Sequence, residues 1–214
     1  MSIEIQCNEA IFAFTDGQTF SEYAHRFEPE QRLALTRRYD AVRVPVDAQS
    51  TLATYPVWLY WVLLVSDDTP DTLMVLPIVQ RMAELSPRID LRVLSDEADL
   101  SALNELVDDE IDLDEALADI DLPRLFIFDE EWNQQAQWGP RPEAAEARLD
   151  EWLTSNPDYE QLLAEDETDD SARLDQLISD LTAQMRLWYN HDLTSACIAE
   201  IMALLDELNS DDSE

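Results

Sequence analysis

The stretch Val57-Trp58-Leu59-Tyr60-Trp61-Val62-Leu63-Leu64-Val65 carries no charged residue and never alternates polar with apolar. A β-favouring run of that kind is the pattern of a strand covered on both sheet faces. Layers on both sides of a sheet are then required, so the chain is expected to be α/β. The run is far too short to cross a bilayer, which takes about 20 apolar residues. It stops at Ser66-Asp67-Asp68-Thr69-Pro70. Thr69 then Pro70 places a hydroxyl N-cap before a proline at the first helical position, a strong helix start. Leu73, Leu76, Ile78 and Met82 continue that helix, and Pro77 inside it is expected to kink it.

The neighbouring segments supply the remaining layers. Phe20–Arg26 and Glu28–Asp40 read as short helices, the second burying Leu33, Leu35 and Tyr39, and Val42–Val46 reads as extended and interrupted by Pro45. Ile89–Leu94 is a second strand, alternating Ile89, Leu91 and Val93. Ser101–Ile120 is an amphipathic helix among acids; a calcium-loop reading of Asp108–Asp121 fails because no glycine stands where such a loop must turn. Pro123–Phe128 and Asn133–Trp138 make a hairpin over Asp129–Trp132, and Pro142–Leu153 is a helix. Two helices, Ala172–Trp188 and Asp192–Leu208, close the chain. Leu174, Leu177, Ile178, Leu181, Met185 and Trp188 step along one face, continued by Cys197, Ile201, Leu204 and Leu208. Cys197 on that stripe reads as a buried structural cysteine. The helix between the first two strands makes a right-handed parallel crossover the default, and the hairpin adds an antiparallel edge.

Charge narrows the function classes. The 214 residues carry 48 carboxylates and 13 basic side chains, all arginine, for a net charge of −35. Residues 1–100 contribute −8 and residues 101–214 contribute −27. With 46% apolar residues the chain is a folded protein and not an acidic tail. Nucleic-acid binding through phosphates needs a basic footprint that is missing, and adsorption to anionic lipid is disfavoured for the same reason. Cys7 and Cys197 are too far apart in sequence to read as a disulfide framework or a metal set. The N-terminus shows neither a basic n-region nor a long apolar h-region, so a cytoplasmic protein is expected. Gly17 and Gly139 are the only glycines, which leaves no phosphate cradle. His25 and His191 form no readable constellation, and no Ser-His-Asp or zinc pattern is present.

The order of elements, with three local features, resembles the thioredoxin fold, and in particular thioredoxin-like bacterial proteins with a helical N-terminal segment and a helical tail. The first feature is the junction Ser66–Ile78, where redox-active relatives carry Trp-Cys-x-x-Cys; Pro77 lies five residues after Thr72, the distance from their second cysteine to the helix proline. The second is Asp121–Phe128, similar to the strand opened by the family's cis-proline, here Pro123. The third is Trp138-Gly139-Pro140-Arg141 ahead of the last core helix. The organisation implied is a helical segment over 1–49, a thioredoxin-like domain over 50–155, an acidic connector over 156–170, and a helical extension over 171–214 packed on the core.

Against that family, Thr69 and Thr72 stand where the two redox cysteines would be, and a hydroxyl forms no disulfide. Asp68 replaces the tryptophan before the first cysteine, and Leu63 replaces the buried carboxylate that assists proton transfer. Thiol–disulfide exchange and a cofactor are therefore not expected. The resemblance implies a non-redox module that pairs an extended peptide or protein partner with the edge beside Pro123, with Thr69, Thr72, Arg124 and Trp138 around it and Trp132 on the same face. Three alternatives stand beside it. The acidic surface could act as an electrostatic decoy for a basic partner, or the charge could be a habit of the source organism. A residual activity could use Asp67, Asp68 and Asp71 as catalytic carboxylates or metal ligands. Oligomeric state is not encoded in any readable pattern.

Overall fold

Strand β1 (Leu59–Val65) is an inner strand, parallel to β2 (Ile89–Ser95) on one side and antiparallel to β3 (Arg124–Phe128) on the other. Strand β4 (Gln134–Trp138) pairs antiparallel with β3 and completes the order β2-β1-β3-β4. The computed structural model describes residues 7–67, 69–96, 121–163 and 171–211. Trp61 lies opposite Leu91 and Ile127, and Leu63 opposite Val93 and Leu125. Alternation along β1 then sends these side chains to one face, where they join the buried side of helix α5 (Pro70–Ala83). Val62 and Leu64 point the other way, into a second cluster with Leu94, Phe126, Phe128 and Ala10, Ala13 and Phe14 of helix α1 (Cys7–Asp16). Both faces are covered, as the unbroken apolar run requires.

Three further helices fill the N-terminal third: α2 (Phe20–His25), α3 (Pro29–Ala41) and α4 (Val46–Ala53). Thr19 caps α2 in a complete capping box with Glu22. Gly17 lets the chain pass close to β2, since a Cβ there would lie 2.7 Å from Cβ of Arg92. Gln18 then exchanges two 2.8 Å backbone hydrogen bonds with Val93. After the sheet come α6 (Glu143–Ser155), α7 (Asp158–Leu163), α8 (Ser171–Trp188) and α9 (Thr194–Asp211). The tail belongs to the main core: Leu181, Met185, Tyr189, Leu193, Cys197, Ile201 and Leu205 cluster with α5 and the sheet. No helix among the described residues is long and apolar enough to cross a membrane.

Several local expectations need correction. The strand begins at Leu59 because Trp58 stays outside it and is exposed. Leu33 is exposed, and Leu35 and Arg38 take the inner face of α3. Val42 and Pro45 keep extended backbone, but Val46 already belongs to α4, for which Pro45, with φ −56° and ψ 148°, is the N-cap. Helix α1 was not expected, and α7 occupies part of what reads as a connector. Pro77 lies inside α5, as expected, and is buried there. The two expected tail helices are one helical run, joined by a π-helical turn at Tyr189–Leu193. Neither glycine nor proline breaks it there, and the Thr194 hydroxyl donates to the Tyr189 carbonyl at 2.6 Å. The expected helix over 101–120, and Asp68, lie outside the described residues.

Candidate functional site

At the end of β1 the chain turns through Ser66 and Asp67 into α5, and Thr69 is the N-cap of that helix. Its Oγ1 accepts from the Thr72 amide at 3.3 Å, satisfying one of the unpaired donors of the first turn. The two hydroxyl oxygens lie 2.9 Å apart, so one of them donates to the other. Thr69 Oγ1 can also donate to the Ser66 carbonyl at 3.4 Å. Thr72 is buried, whereas Thr69 is half-exposed.

Two carboxylates flank the hydroxyls, and each is already engaged by an arginine. Asp67 accepts from the Tyr23 hydroxyl at 2.8 Å and from Arg26 at 2.9 Å. Burial, together with the Asp67 charge, pushes the Tyr23 phenol far above its ordinary range. Asp71 is held by Arg141 in a two-pronged pair, 3.2 Å from Nε and 2.8 Å from Nη2. Burial raises the Asp71 carboxyl above its usual value, and the Arg141 guanidinium opposes that rise. With their oxygens turned to guanidinium groups, neither carboxylate is placed to take a proton from Thr69 or Thr72. The two carboxylates also point to different partners, which argues against a shared metal or a catalytic pair.

The Trp138-Gly139-Pro140-Arg141 stretch ties this helix start to the rest of the molecule. Arg141 reaches Asp71, while the Trp138 indole donates to Glu200 of α9 at 2.8 Å. The other Glu200 oxygen accepts from the Glu143 amide at 2.9 Å. Gly139 has φ +121°, and a Cβ there would sit 2.3 Å from the Pro123 carbonyl oxygen. Only glycine fits between the two loops. The Leu122–Pro123 and Gly139–Pro140 peptides are both cis.

A cavity of about 490 Å³ opens over Thr69 and Thr72. Tyr23, Phe27 and Leu35 from the N-terminal helices form one wall, and Ile178 and Thr182 of α8 form the other. Asp67, Asp175 and Arg186 bring charge to its lining. Of the five candidate residues, Thr69 and Thr72 meet here, and Pro123, Arg124 and Trp138 do not line the space. Pro123 is buried under Gly139. Arg124 starts β3 opposite Leu64, where burial lowers its pKa, and Trp138 is covered by the tail. Trp132 stacks on Tyr60 at 4.1 Å, on the α1 side of the sheet. Cys197 is fully buried, and burial with the nearby Glu200 charge raises its thiol far out of the reactive range. Tyr23 and Arg26 entered the site without a motif to announce them; Asp67 and Asp71 belonged to the junction, and Arg141 to the Trp-Gly-Pro-Arg stretch.

A family model described as thioredoxin matches residues 17–153. The chain belongs to the thioredoxin family. Among solved structures, this thioredoxin-family chain is similar to a protein of unknown function from Pseudomonas aeruginosa, at 17% identity and a TM-score of 0.61. That likeness covers 92% of this chain and 96% of the other. A designed HIV epitope scaffold is similar at 18% identity and a TM-score of 0.58, over 91% and 96% of the two chains. At such identities the likeness shows a shared fold, in which a mixed sheet and its helices carry helical extensions at both ends. No curated protein matches the chain.

Proposed function

We propose that this thioredoxin-family protein is a non-redox binding module that holds a protein or extended peptide at the cavity over Thr69 and Thr72. The observation that carries the reading is the Thr69–Thr72 hydroxyl pair, bonded at 2.9 Å at the start of α5 where family relatives place their thiols. Disulfide exchange needs a thiolate and a second sulfur, and threonine provides neither. Cys197 is fully buried in the tail core, far up its titration range. What the site retains is shape and polarity: a helix start, two hydroxyls, and a lined cavity of a size that takes a ligand.

Thiol-dependent reduction of a protein disulfide, with dithiothreitol as the electron source, tests the non-redox half. The expected rate equals that of a Cys7→Ala/Cys197→Ala double variant. A faster wild-type rate overturns the reading.

A further inference from the structure

The cavity over Thr69 and Thr72 is polarised along its length. On α8 its lining residues Asp175, Ile178, Thr182 and Arg186 recur at spacings of three and four, which is one helix face. Eleven residues at about 1.5 Å each put Asp175 and Arg186 about 16 Å apart, with apolar and hydroxyl-bearing side chains between them. On the opposite wall Gln31, Ala34 and Leu35 of α3 face the same space. One turn further along α3, Arg38 crosses to the tail, donating to Thr194 Oγ1 at 2.5 Å and to Asn190 Oδ1 at 3.3 Å. That bridge ties α3 to the tail one to two turns past Arg186.

Asp175 and Arg186 are both exposed, and among the described residues neither has a hydrogen-bond or ion-pair partner. The same holds for the Gln31 side-chain amide, which offers one acceptor and a pair of donors, the complement of a peptide unit. The contrast with Asp67 and Asp71, each paired with an arginine, is direct.

Resting on the binding reading above, we infer that the occupant is an extended peptide segment of about five residues. It carries a basic side chain at the Asp175 end, an acidic one at the Arg186 end, and apolar side chains between. An extended chain advances about 3.3 Å per residue, so the first and fifth side chains leave the same face about 13 Å apart, and the length of the charged side chains covers the rest of the distance. Opposite charges at the two ends fix direction as well as register, because the reversed peptide sets like charges together.

The test uses the full chain and two synthetic peptides, acetyl-Arg-Val-Leu-Val-Glu-amide and its counterpart with glutamine at both ends. Binding is followed by calorimetry and by amide NMR. The charged peptide is expected to shift amides of 31–35 and 175–186 and to bind at least tenfold tighter than the neutral one. Arg186→Gln and Asp175→Asn change exposed side chains without internal partners, so both variants keep the fold. Each should weaken the charged peptide about fivefold and leave the neutral one unchanged. Equal affinity for both peptides, with Ala34→Trp abolishing both, overturns the charge pattern while the cavity remains a binding site. Failure of the charged peptide to shift any of these amides at millimolar concentration overturns the inference. The disulfide-reduction assay reports separately on the non-redox reading.

Discussion

Replacing Arg141 by methionine removes one partner of an ion pair whose side chains are only 17% and 11% exposed. Asp71 then stays in the core wall with neither of its two guanidinium hydrogen bonds. Breaking a buried pair from one side costs about 3–5 kcal/mol. Because both groups keep a little solvent, the lower end, about 3 kcal/mol, is expected. In urea, at a slope of about 2–3 kcal/mol per molar, the unfolding midpoint should fall by about 1–1.5 M. The companion Asp71→Leu/Arg141→Met variant removes the stranded charge and should recover about 2 kcal/mol of that loss. A pH series adds a second check. Burial already raises the Asp71 carboxyl, and without Arg141 it does so unopposed. The folded variant then holds a proton that the unfolded chain, at about 3.9, releases, so its stability falls as pH rises through that interval. The deficit relative to wild type is therefore smallest in mild acid and largest near neutrality. A midpoint shift below about 0.3 M, or a double variant as unstable as the single, refutes the claim that this pair holds the helix start to the loop.

Three other substitutions read single features. Arg148 holds the Asp192 carboxylate by hydrogen bonds of 2.8 and 2.7 Å, with His191 assisting, and pulls its pKa down to about 2; a carboxyl NMR titration of Arg148→Gln should show it rise toward the ordinary value of about 3.9, with His191 still holding it somewhat below. Being depressed in the folded state, that group stabilises the protein above the unfolded pKa, and the contribution disappears as pH falls through about 2. Gly139→Ala forces a Cβ to within 2.3 Å of the Pro123 oxygen at a positive φ, and should cost about 3 kcal/mol or more in urea unfolding; a loss below about 1 kcal/mol contradicts that close approach. Thr69→Cys/Thr72→Cys in a Cys7→Ala/Cys197→Ala background puts the chain's two sulfurs where the hydroxyls are 2.9 Å apart, and the purified variant should lose two hydrogens by mass on oxidation and regain them with dithiothreitol; persistence of both thiols after oxidation counts against the geometry.

What was legible in the sequence was local. The both-faces strand at Leu59–Val65, the Thr69 cap with Pro70 behind it, and the α8–α9 stripe each follow from residues within a few turns of one another. Cys197 fell on that stripe and is buried there. Helix α4 was missed because Pro45 breaks an extended reading as readily as it begins a helix, and Val46–Ala53 has little apolar periodicity to decide between them. The site partners were out of reach for a different reason. Asp71 and Arg141 are 70 positions apart, Tyr23 and Asp67 are 44, and only the packing of two loops brings each pair together. Trp138 shows the reverse error. A tryptophan at the end of an edge strand reads as available to a ligand, but Glu200, 62 positions later, takes its indole hydrogen and the tail covers it.

Thr69 has a folding task of its own. A threonine N-cap with a bonded amide supports α5 by about 1 kcal/mol, whatever the site does. The hydroxyl pair bears on redox chemistry, and the residues that bear on the occupant of the cavity are those with no folding task. Asp67 and Asp71 fail that criterion, because Arg26 and Arg141 neutralise them and their removal strands a charge. Thr72 fails it too, buried against Thr69. Asp175, Arg186 and Gln31 meet it: they line the same cavity, sit on the helical extensions and not on the sheet, and leave their hydrogen-bonding groups open among the described residues. Five of the thirteen arginines, Arg26, Arg81, Arg92, Arg141 and Arg148, pair with a carboxylate, while exposed Arg37 and Arg173 are as open as Arg186 among the described residues, so openness alone does not mark a site. What distinguishes Arg186 from the other open arginines is its place: it lines the cavity on the same α8 face as Asp175, about three turns away, and that placement is what the proposed peptide complements.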